Sequence, residues 1–138
     1  CEATARALRG GWLYPGDVAT LAEGGYFYLV DRTKDMINVA GFKVFPREVD
    51  EIMVTHEAVS VAATVGIPNP DRPGSEIVKS FVVPRKGYEP SEELKNDITK
   101  FLRARLASYK VPKVIEFRIE LPLTLVGKVL KRELRESK

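Results

Sequence analysis

A single lysine near the end of the chain is the side chain best placed to do chemistry. Lys128 follows Gly127 at the end of the segment 122–128 (PLTLVGK), and the basic run 129–135 (VLKRELR) comes directly after it. Because glycine permits a tight turn, the pattern predicts a loop that presents one cation just before a short basic helix. A lysine on such a loop suits a site built elsewhere that handles negative charge. The alternative is an ordinary solvated face of a basic helix.

Three further segments carry polar residues beside turn signals. Asp17 ends the segment 11–17 (GWLYPGD), Arg32 and Lys34 lie in the charged break 31–35 (DRTKD), and Gly41 precedes Lys43 in 39–43 (VAGFK). Each has a plain structural explanation when taken alone. These explanations are a turn aspartate, a surface ion pair of Arg32 with Asp31 or Asp35, a loop lysine, and a hairpin glycine.

Composition limits the classes of protein that remain. The chain has 138 residues, 44% of them hydrophobic, and 22 basic residues against 19 acidic ones give a net charge of +3. This supports one modest core. The small excess of basic residues fits phosphate-bearing partners but supports generic nucleic-acid binding only weakly, and no nucleic-acid partner is expected. One cysteine and one histidine argue against an internal disulfide and a zinc site, so no metal ligands are assigned. No apolar run reaches the roughly 18 residues that span a bilayer. We expect a cytoplasmic setting, with peripheral membrane association left open.

Turn signals and short apolar runs predict the elements that must position these residues. Residues 18–22 and 26–30 flank Gly24 and Gly25 and predict a β-hairpin. Residues 36–40 and 42–45 predict a second small hairpin or a tight loop around Gly41. Trp12, Phe27 and Tyr28 are expected to pack in a core or against another domain.

The rest of the chain predicts helices against a small sheet. Pro46 opens a helix with Val49, Ile52, Met53 and His56 on one face, and Ser91 caps another whose buried stripe is Leu94, Ile98, Phe101, Leu102 and Leu106. Strands are predicted at 59–65, 77–83 and 114–118, and a final helix at 129–136. The order β-α-β-β-α-β predicts an α+β fold, a small sheet flanked by helices, with the first β-hairpin preceding it.

The motifs together resemble one enzyme superfamily. The segments 11–17, 31–35, 39–43, 109–112 (YKVP) and 127–128 occur in the order found in adenylate-forming enzymes, which include acyl-CoA synthetases, peptide-synthetase adenylation domains and luciferases. The segments 111–117 (VPKVIEF) and 131–135 (KRELR) are most similar to those of fatty-acyl-CoA ligases. No segment resembles the Ser/Thr/Gly-rich phosphate loop of the family's large domain. The chain also lacks an initiator methionine, and we expect a piece of a longer protein.

The resemblance implies a role for each candidate residue. Lys128 would be the catalytic lysine of adenylation, and Asp17 and Arg32 would bind the nucleotide ribose. Lys34 would be the hinge about which the small domain rotates, and Gly41 and Lys43 would approach the pantetheine tunnel of CoA. Lys110 is a further candidate for a CoA phosphate. Pro15 stands where many relatives have threonine, so a hydroxyl and a backbone donor are missing there.

The resemblance also implies a domain division and a function. Residues 1–34 would be the last strands of a large N-terminal domain plus the hinge, and residues 35–138 the mobile C-terminal lid. The whole enzyme would use ATP, Mg²⁺ and CoA to convert a fatty or other carboxylic acid into its CoA thioester through an acyl-adenylate. The chain alone, separated from its N-terminal domain, is expected to be inactive and to bind no cofactor tightly. Two alternatives stay open: a stand-alone, non-catalytic module that binds a nucleotide, CoA or protein, and the lid of a peptide-synthetase adenylation domain.

Overall fold

The structure, a computed structural model, describes residues 2–136. Cys1 and residues 137–138, the outer ends of the two predicted domains, lie outside the described residues. The helices are α1 (Glu2–Ala7), α2 (Pro46–Met53), α3 (Glu92–Arg103) and α4 (Lys131–Glu136). The strands are β1 (Leu8–Arg9), β2 (Trp12–Leu13), β3 (Asp17–Leu21), β4 (Phe27–Arg32), β5 (Ile37–Val39), β6 (Phe42–Val44), β7 (Val59–Pro68), β8 (Glu76–Pro84) and β9 (Val114–Phe117). Single 3-10 turns cover Thr33–Asp35 and Ser108–Lys110.

A three-stranded sheet forms the centre of the fold, in the order β7-β8-β9. β7 and β8 pair antiparallel from Val59↔Pro84 to Pro68↔Glu76, whereas β9 runs parallel to β8. Parallel neighbours need a crossover connection, and α3 supplies it. The α+β class predicted from the sequence, a small sheet with helices, is confirmed.

Both faces of this sheet are buried. On β8, Val78 and Val82 belong to the cluster that includes the buried side chains of α2 and α3, while Phe81 belongs to a second cluster with Leu121 and Leu134 of α4. Successive side chains of a strand point to opposite faces, so α2 and α3 lie on one face and α4 on the other. A strand covered on both sides is expected to be largely apolar; in β8 the two buried polar residues are paired, Lys79 with Glu116 and Ser80 with Thr64.

The predicted stripe of α3 is largely confirmed. The Ser91 side chain accepts a hydrogen bond from the Leu94 amide at 3.1 Å, and Leu94, Ile98 and Leu102 are buried. Leu106 is buried too, although the helix ends at Arg103.

Two predicted helix boundaries were wrong. α2 ends at Met53, so His56 lies beyond the helix, buried, with its Nε2 3.2 Å from Asp97 Oδ2 and its ring edge-on to Phe101. α4 begins at Lys131 and not at 129, because Val129 forms a β-bridge with Leu123.

Residues 8–32 form short hairpins outside the core. β3 pairs with β4 as predicted, and β1 pairs with β2. Trp12 is 74% exposed, Phe27 73% and Tyr28 63%, so these three side chains do not pack in a core of this chain. Packing against another domain stays a prediction for them. The longest described helix, α3, has 12 residues, and none of the described helices is long and apolar enough to cross a membrane.

Candidate functional site

A basic cleft of about 620 Å³ lies where the end of β4, the start of α2, the Lys128 loop and α4 meet. Its charged lining comprises the cations Arg32, Lys34, Arg47, Lys128, Lys131, Arg132 and Arg135 and the anions Asp31, Asp35 and Asp50. The excess of cations favours an anionic ligand. Three predicted site residues, Arg32, Lys34 and Lys128, are therefore brought together by the fold.

The Lys128 loop is a small, well-bonded hairpin. The Thr124 amide donates to the Lys128 carbonyl at 2.7 Å, and the Lys128 amide donates to Thr124 Oγ1 at 3.0 Å. At the base the Leu130 amide donates to the Pro122 carbonyl at 2.8 Å. Gly127 has φ of +77°, a backbone conformation that glycine adopts readily. The backbone of Lys128 is thus held from two sides by Thr124.

The side chain of Lys128 is not held. The residue is exposed, and among the hydrogen bonds and ion pairs of residues 2–136 its ammonium group has no partner. A side chain locked into the interior would have excluded a role in reaching a ligand, and the structure does not place it there.

Asp17 and Arg32 face each other across a hairpin. They are register partners on β3 and β4, and Arg32 Nε lies 4.0 Å from Asp17 Oδ1. The surface pair suggested for Arg32 with Asp31 or Asp35 does not form. Asp31 Oδ1 instead accepts the backbone N–H of Arg32, and Asp35 pairs with Arg135.

Lys34 lies in the 3-10 turn Thr33–Asp35 that joins β4 to β5. Its side chain is exposed, and no ion pair of the described residues includes it. A short connection with a free side chain is compatible with a hinge, since hinges are a few loop positions that absorb dihedral change. The hinge role of Lys34 stays a prediction.

Gly41 and Lys43 belong to another part of the surface. β5 and β6 form the predicted hairpin, with Ala40 (φ +53°) and Gly41 (φ +97°) as its two loop residues. Positive φ at both positions is the type I′ geometry that suits a two-residue hairpin. Neither Gly41 nor Lys43 lines the basic cleft.

The hairpin around Gly41 packs against the 3-10 turn Ser108–Lys110, which follows α3. The Phe42 ring stacks on Tyr109 with 4.7 Å between centroids. Lys110, considered for a CoA phosphate, instead places its Nζ 2.7 and 2.8 Å from the two carboxylate oxygens of Glu48. The ammonium group of Lys110 is therefore already paired with a carboxylate of the same predicted domain.

Sequence reasoning missed the acidic partners within the cleft. Lys131 Nζ lies 3.0 Å from Asp50 Oδ2, and an Arg135 guanidinium nitrogen lies 2.9 Å from Asp35 Oδ1. The four-residue spacing of Lys131 and Arg135 predicts that they share a helix face, but nothing in the sequence names their partners.

Asp50 is the most perturbed of these groups. Burial raises the pKa of Asp50 to about 6, although the nearby Lys131 ammonium and a hydrogen bond with Thr64 act to lower it. Its Oδ1 is enclosed and has no hydrogen bond of normal geometry. Desolvation of the carboxylate therefore outweighs its ion pair.

Asp31 connects the first hairpins to the rest of the chain. Its Oδ2 accepts the backbone N–H of Arg47 at 3.0 Å. Arg47 is the second residue of α2, where helix amides have no partner within the helix and the helix dipole favours an anion.

No group of three or more His, Cys, Asp or Glu side chains in the described chain could hold a metal ion. The three cleft aspartates each contact a cation or a backbone amide. The residues present therefore do not fit a Mg²⁺ site.

Comparisons with known proteins agree with this geometry. The long-chain-fatty-acid–CoA ligase of Bacillus subtilis is 47% identical over 136 residues, which is 99% of this chain and 23% of the relative. The solved structure of the anthranilate CoA ligase AuaEII in complex with anthranoyl-AMP matches 98% of this chain and 26% of its own, with TM-score 0.86 and 35% identity. The ATP-bound RpMatB-BxBclM chimera B1 matches the same shares with TM-score 0.90 and 34% identity.

The chain thus spans about a quarter of the length of these relatives. The model of the AMP-binding enzyme C-terminal domain matches residues 48–128, from the first turn of α2 to Lys128. This chain belongs to the AMP-binding enzyme C-terminal domain family.

Proposed function

We propose that this chain is the C-terminal part of an AMP-forming acyl-CoA ligase and that Lys128 is its adenylation lysine. The whole enzyme would join a fatty or other carboxylic acid to CoA through an acyl-adenylate, with release of pyrophosphate and AMP. The observation that carries the proposal is the position of Lys128, which is exposed at a basic cleft that also contains Arg32 and whose ammonium has no partner among residues 2–136.

The chemistry of adenylation explains why a free cation is useful. A carboxylate must attack the α-phosphate of ATP, and both groups are negative, so repulsion opposes their approach. A positioned ammonium reduces the repulsion and stabilises the charge that develops on the phosphoryl oxygens. Lys131, Lys110 and Arg135 already pair with carboxylates, whereas Lys128 pairs with none of those in the described part of the chain, so its side chain could extend to the phosphate.

Asp17 and Arg32 are proposed to hold the nucleotide ribose. A carboxylate accepts hydrogen bonds only and has lone pairs enough for both ribose hydroxyls. The ion pair between Asp17 and Arg32 is long at 4.0 Å, and the Asp17 side chain remains 33% exposed. Both polar groups therefore keep capacity for a ligand. They lie on the hairpin that precedes Lys34, so the ribose would stay with that hairpin when the rest of the chain moves.

Lys34 is proposed as the hinge between residues 1–34, the end of a large N-terminal domain, and residues 35–138, the lid. The aromatic and aliphatic side chains of β2 and β4 are exposed. Such an apolar surface supports the proposal that another domain, the large N-terminal one, covers it in the whole enzyme. In a second lid position Gly41 and Lys43 would meet the pantetheine arm of CoA. Their separation from the Lys128 cleft supports an enzyme that presents two surfaces in turn.

ATP and CoA are proposed as substrates and the cytoplasm as the setting. Because residues 2–136 offer no ligand set for Mg²⁺, no step is assigned to the ion here. The acid is also left to the rest of the enzyme. One similar protein is named for a long-chain fatty acid and another for anthranilate, so similar C-terminal parts occur with different acids.

The test uses the full-length enzyme that contains this chain, with Lys128→Ala. Adenylation is measured by ATP–pyrophosphate exchange, and thioester formation is measured from a supplied acyl-adenylate. We expect adenylation to fall by about 10²–10³-fold and thioester formation to change by less than about threefold. Lys100→Ala is the matched control, because it removes an exposed lysine on α3 far from the cleft lining. Equal loss in both half-reactions, or normal exchange, would show that Lys128 has another role.

A second test uses the 138-residue chain by itself. It lacks the large domain that its relatives contain, so we expect no pyrophosphate release from fatty acid and ATP. Robust turnover by the pure chain would contradict the proposal.

A further inference from the structure

The helix α4 begins only three residues after Lys128 and has six residues. Isolated helices so short are not stable in water, so contacts with the rest of the domain must fix its position. Leu134, 3% exposed, provides an apolar contact beneath the helix with Phe81 and Leu121. One apolar contact does not define rotation about itself, because the hydrophobic effect is non-directional.

Two ion pairs join α4 to other elements in defined directions. Lys131, at the first position of α4, contacts Asp50 of α2 at 3.0 Å, and both side chains are about one-fifth exposed. Arg135, one turn later, contacts Asp35 at 2.9 Å, and Asp35 is 18% exposed. Charge-assisted hydrogen bonds at partly buried sites are directional and stronger than those at the surface. Each anchor lies on a different element, one on α2 and one directly after Lys34.

Arg132 shows the contrast on the same helix. It pairs with Glu136 one turn away at 3.1 Å, and its side chain is 87% exposed. That pair lies within α4 and does not connect the helix to anything else. Arg132 thus carries the same charge as Arg135 without anchoring the helix.

We infer that Lys131 and Arg135 are positioning residues that fix the Lys128 hairpin by fastening α4 to Asp50 and Asp35. The inference rests on the proposed function of Lys128. The hairpin closes on itself through Thr124, and Val129 and Leu130 join it directly to α4, so a shift of the helix moves the lysine. A displacement of about 1 Å at a reacting group costs on the order of 10²-fold in rate.

The ion pair of Arg135 with Asp35 also bears on the movement of the lid, because Asp35 lies beside the proposed hinge. Asp35 follows the proposed hinge residue Lys34 in the same 3-10 turn. The Arg135–Asp35 pair therefore joins the start of the lid to the helix that carries the Lys128 hairpin. When the chain turns about Lys34, this pair makes α4 turn with it.

A different role would be direct contact of Lys131 and Arg135 with the phosphates of ATP, since both line the cleft. The two roles differ in how the variants combine. A residue that acts through Lys128 has nothing left to act on once Lys128 is removed, whereas a separate phosphate contact keeps its own effect.

The experiment measures ATP–pyrophosphate exchange and thioester formation from a supplied acyl-adenylate in the full-length enzyme. The variants are K128A, R135M, D35N, the double variant K128A/R135M, the charge exchange D35R/R135D, and R132M, which removes a cleft cation that anchors nothing. The matched control is R103M, which removes an exposed arginine of α3 that does not line the cleft. We expect R135M and D35N each to lower kcat of exchange by about 10- to 100-fold, with thioester formation within about threefold. We expect K128A/R135M to match K128A within about twofold, R132M to lose clearly less exchange than R135M, and R103M to lose less than threefold. D35R/R135D should recover at least part of the loss.

Several outcomes overturn the inference. If R135M lowers exchange in the K128A background by the same factor as in the parent enzyme, Arg135 acts directly on the substrate. If R132M lowers exchange as much as R135M does, exchange depends on the total positive charge of the cleft and not on the anchoring of α4. If K128A loses exchange while R135M and D35N do not, the positioning role fails and the role of Lys128 stands. Normal exchange in K128A would contradict both the adenylation role of Lys128 and the positioning role of Lys131 and Arg135. Should R135M fold poorly, D35N and the charge exchange give the same decision.

Discussion

Asp50→Asn is expected to change how the stability of the 138-residue chain depends on pH. Asp50 has its pKa raised from 3.8 to about 6 because burial disfavours the charged carboxylate more than Lys131 favours it. The folded state therefore binds the proton more tightly than the unfolded state does. Above about pH 6 the ionised group weakens the fold, and this penalty is relieved as the pH falls through the folded pKa towards 3.8.

The size of the effect follows from the two pKa values. A shift of about two units corresponds to roughly 3 kcal/mol in full, of which on the order of 1 kcal/mol is recovered between pH 8 and pH 5. Asparagine does not titrate. The free energy of unfolding of the parent chain minus that of Asp50→Asn should therefore rise by on the order of 1 kcal/mol from pH 8 to pH 5.

The assay is urea denaturation at pH 8, 6.5 and 5. Far-UV circular dichroism is the signal, because the sole tryptophan, Trp12, is exposed outside the core. Asp71→Asn is the control, since it removes an exposed carboxylate from the loop between β7 and β8. A difference between parent and Asp50→Asn that is constant with pH, or that shrinks on acidification, would refute the dominance of desolvation at Asp50.

Three further predictions concern stability and are measured as shifts in urea midpoint at constant m-value. Ala40→Asn should stabilise the chain by up to about 1 kcal/mol, because Ala40 has φ of +53° in a type I′ turn and asparagine tolerates that conformation better; a lower midpoint would contradict this. Ser91→Ala should cost about 1 kcal/mol by removing the bond from the Leu94 amide, with the exposed Ser60→Ala as control. Phe81→Ala should cost about 3–5 kcal/mol, because Phe81 is completely buried, and a loss below 1 kcal/mol would mean that its cluster collapses to fill the space.

Elements with strong local signals could be predicted from the sequence. Ser91 and the apolar stripe after it gave α3, and alternation with turn residues gave the strands and the hairpin around Gly41. These features depend on neighbours a few residues apart, so the local sequence is enough to specify them.

Features that depend on long-range contacts could not be predicted. His56 lies beyond the end of α2 and is buried in contact with Asp97 and Phe101 of α3, which are more than 40 residues away in the chain. The late start of α4 follows from the bridge between Val129 and Leu123, which competes with helix formation. Exposure of Trp12 depends on what lies beside its strand and not on its own pattern.

The candidate site shows the same division. The basic character of α4 and the lysine after Gly127 follow from residue types. The pairs of Lys131 with Asp50 and of Arg135 with Asp35 join residues that are 81 and 100 positions apart in the chain, so only the fold decides which cations of the cleft are paired with a carboxylate.

The hydrogen bond from the Arg47 amide to Asp31 has a consequence for motion. If the chain pivots at Lys34, Asp31 and Arg47 separate, and the start of α2 must exchange a carboxylate for water. A bond of this kind contributes on the order of 1 kcal/mol, which alters the ratio of two populations about fivefold. Asp31 would thus favour the orientation seen in this structure by a small free energy. The other orientation about Lys34 would still be populated at equilibrium.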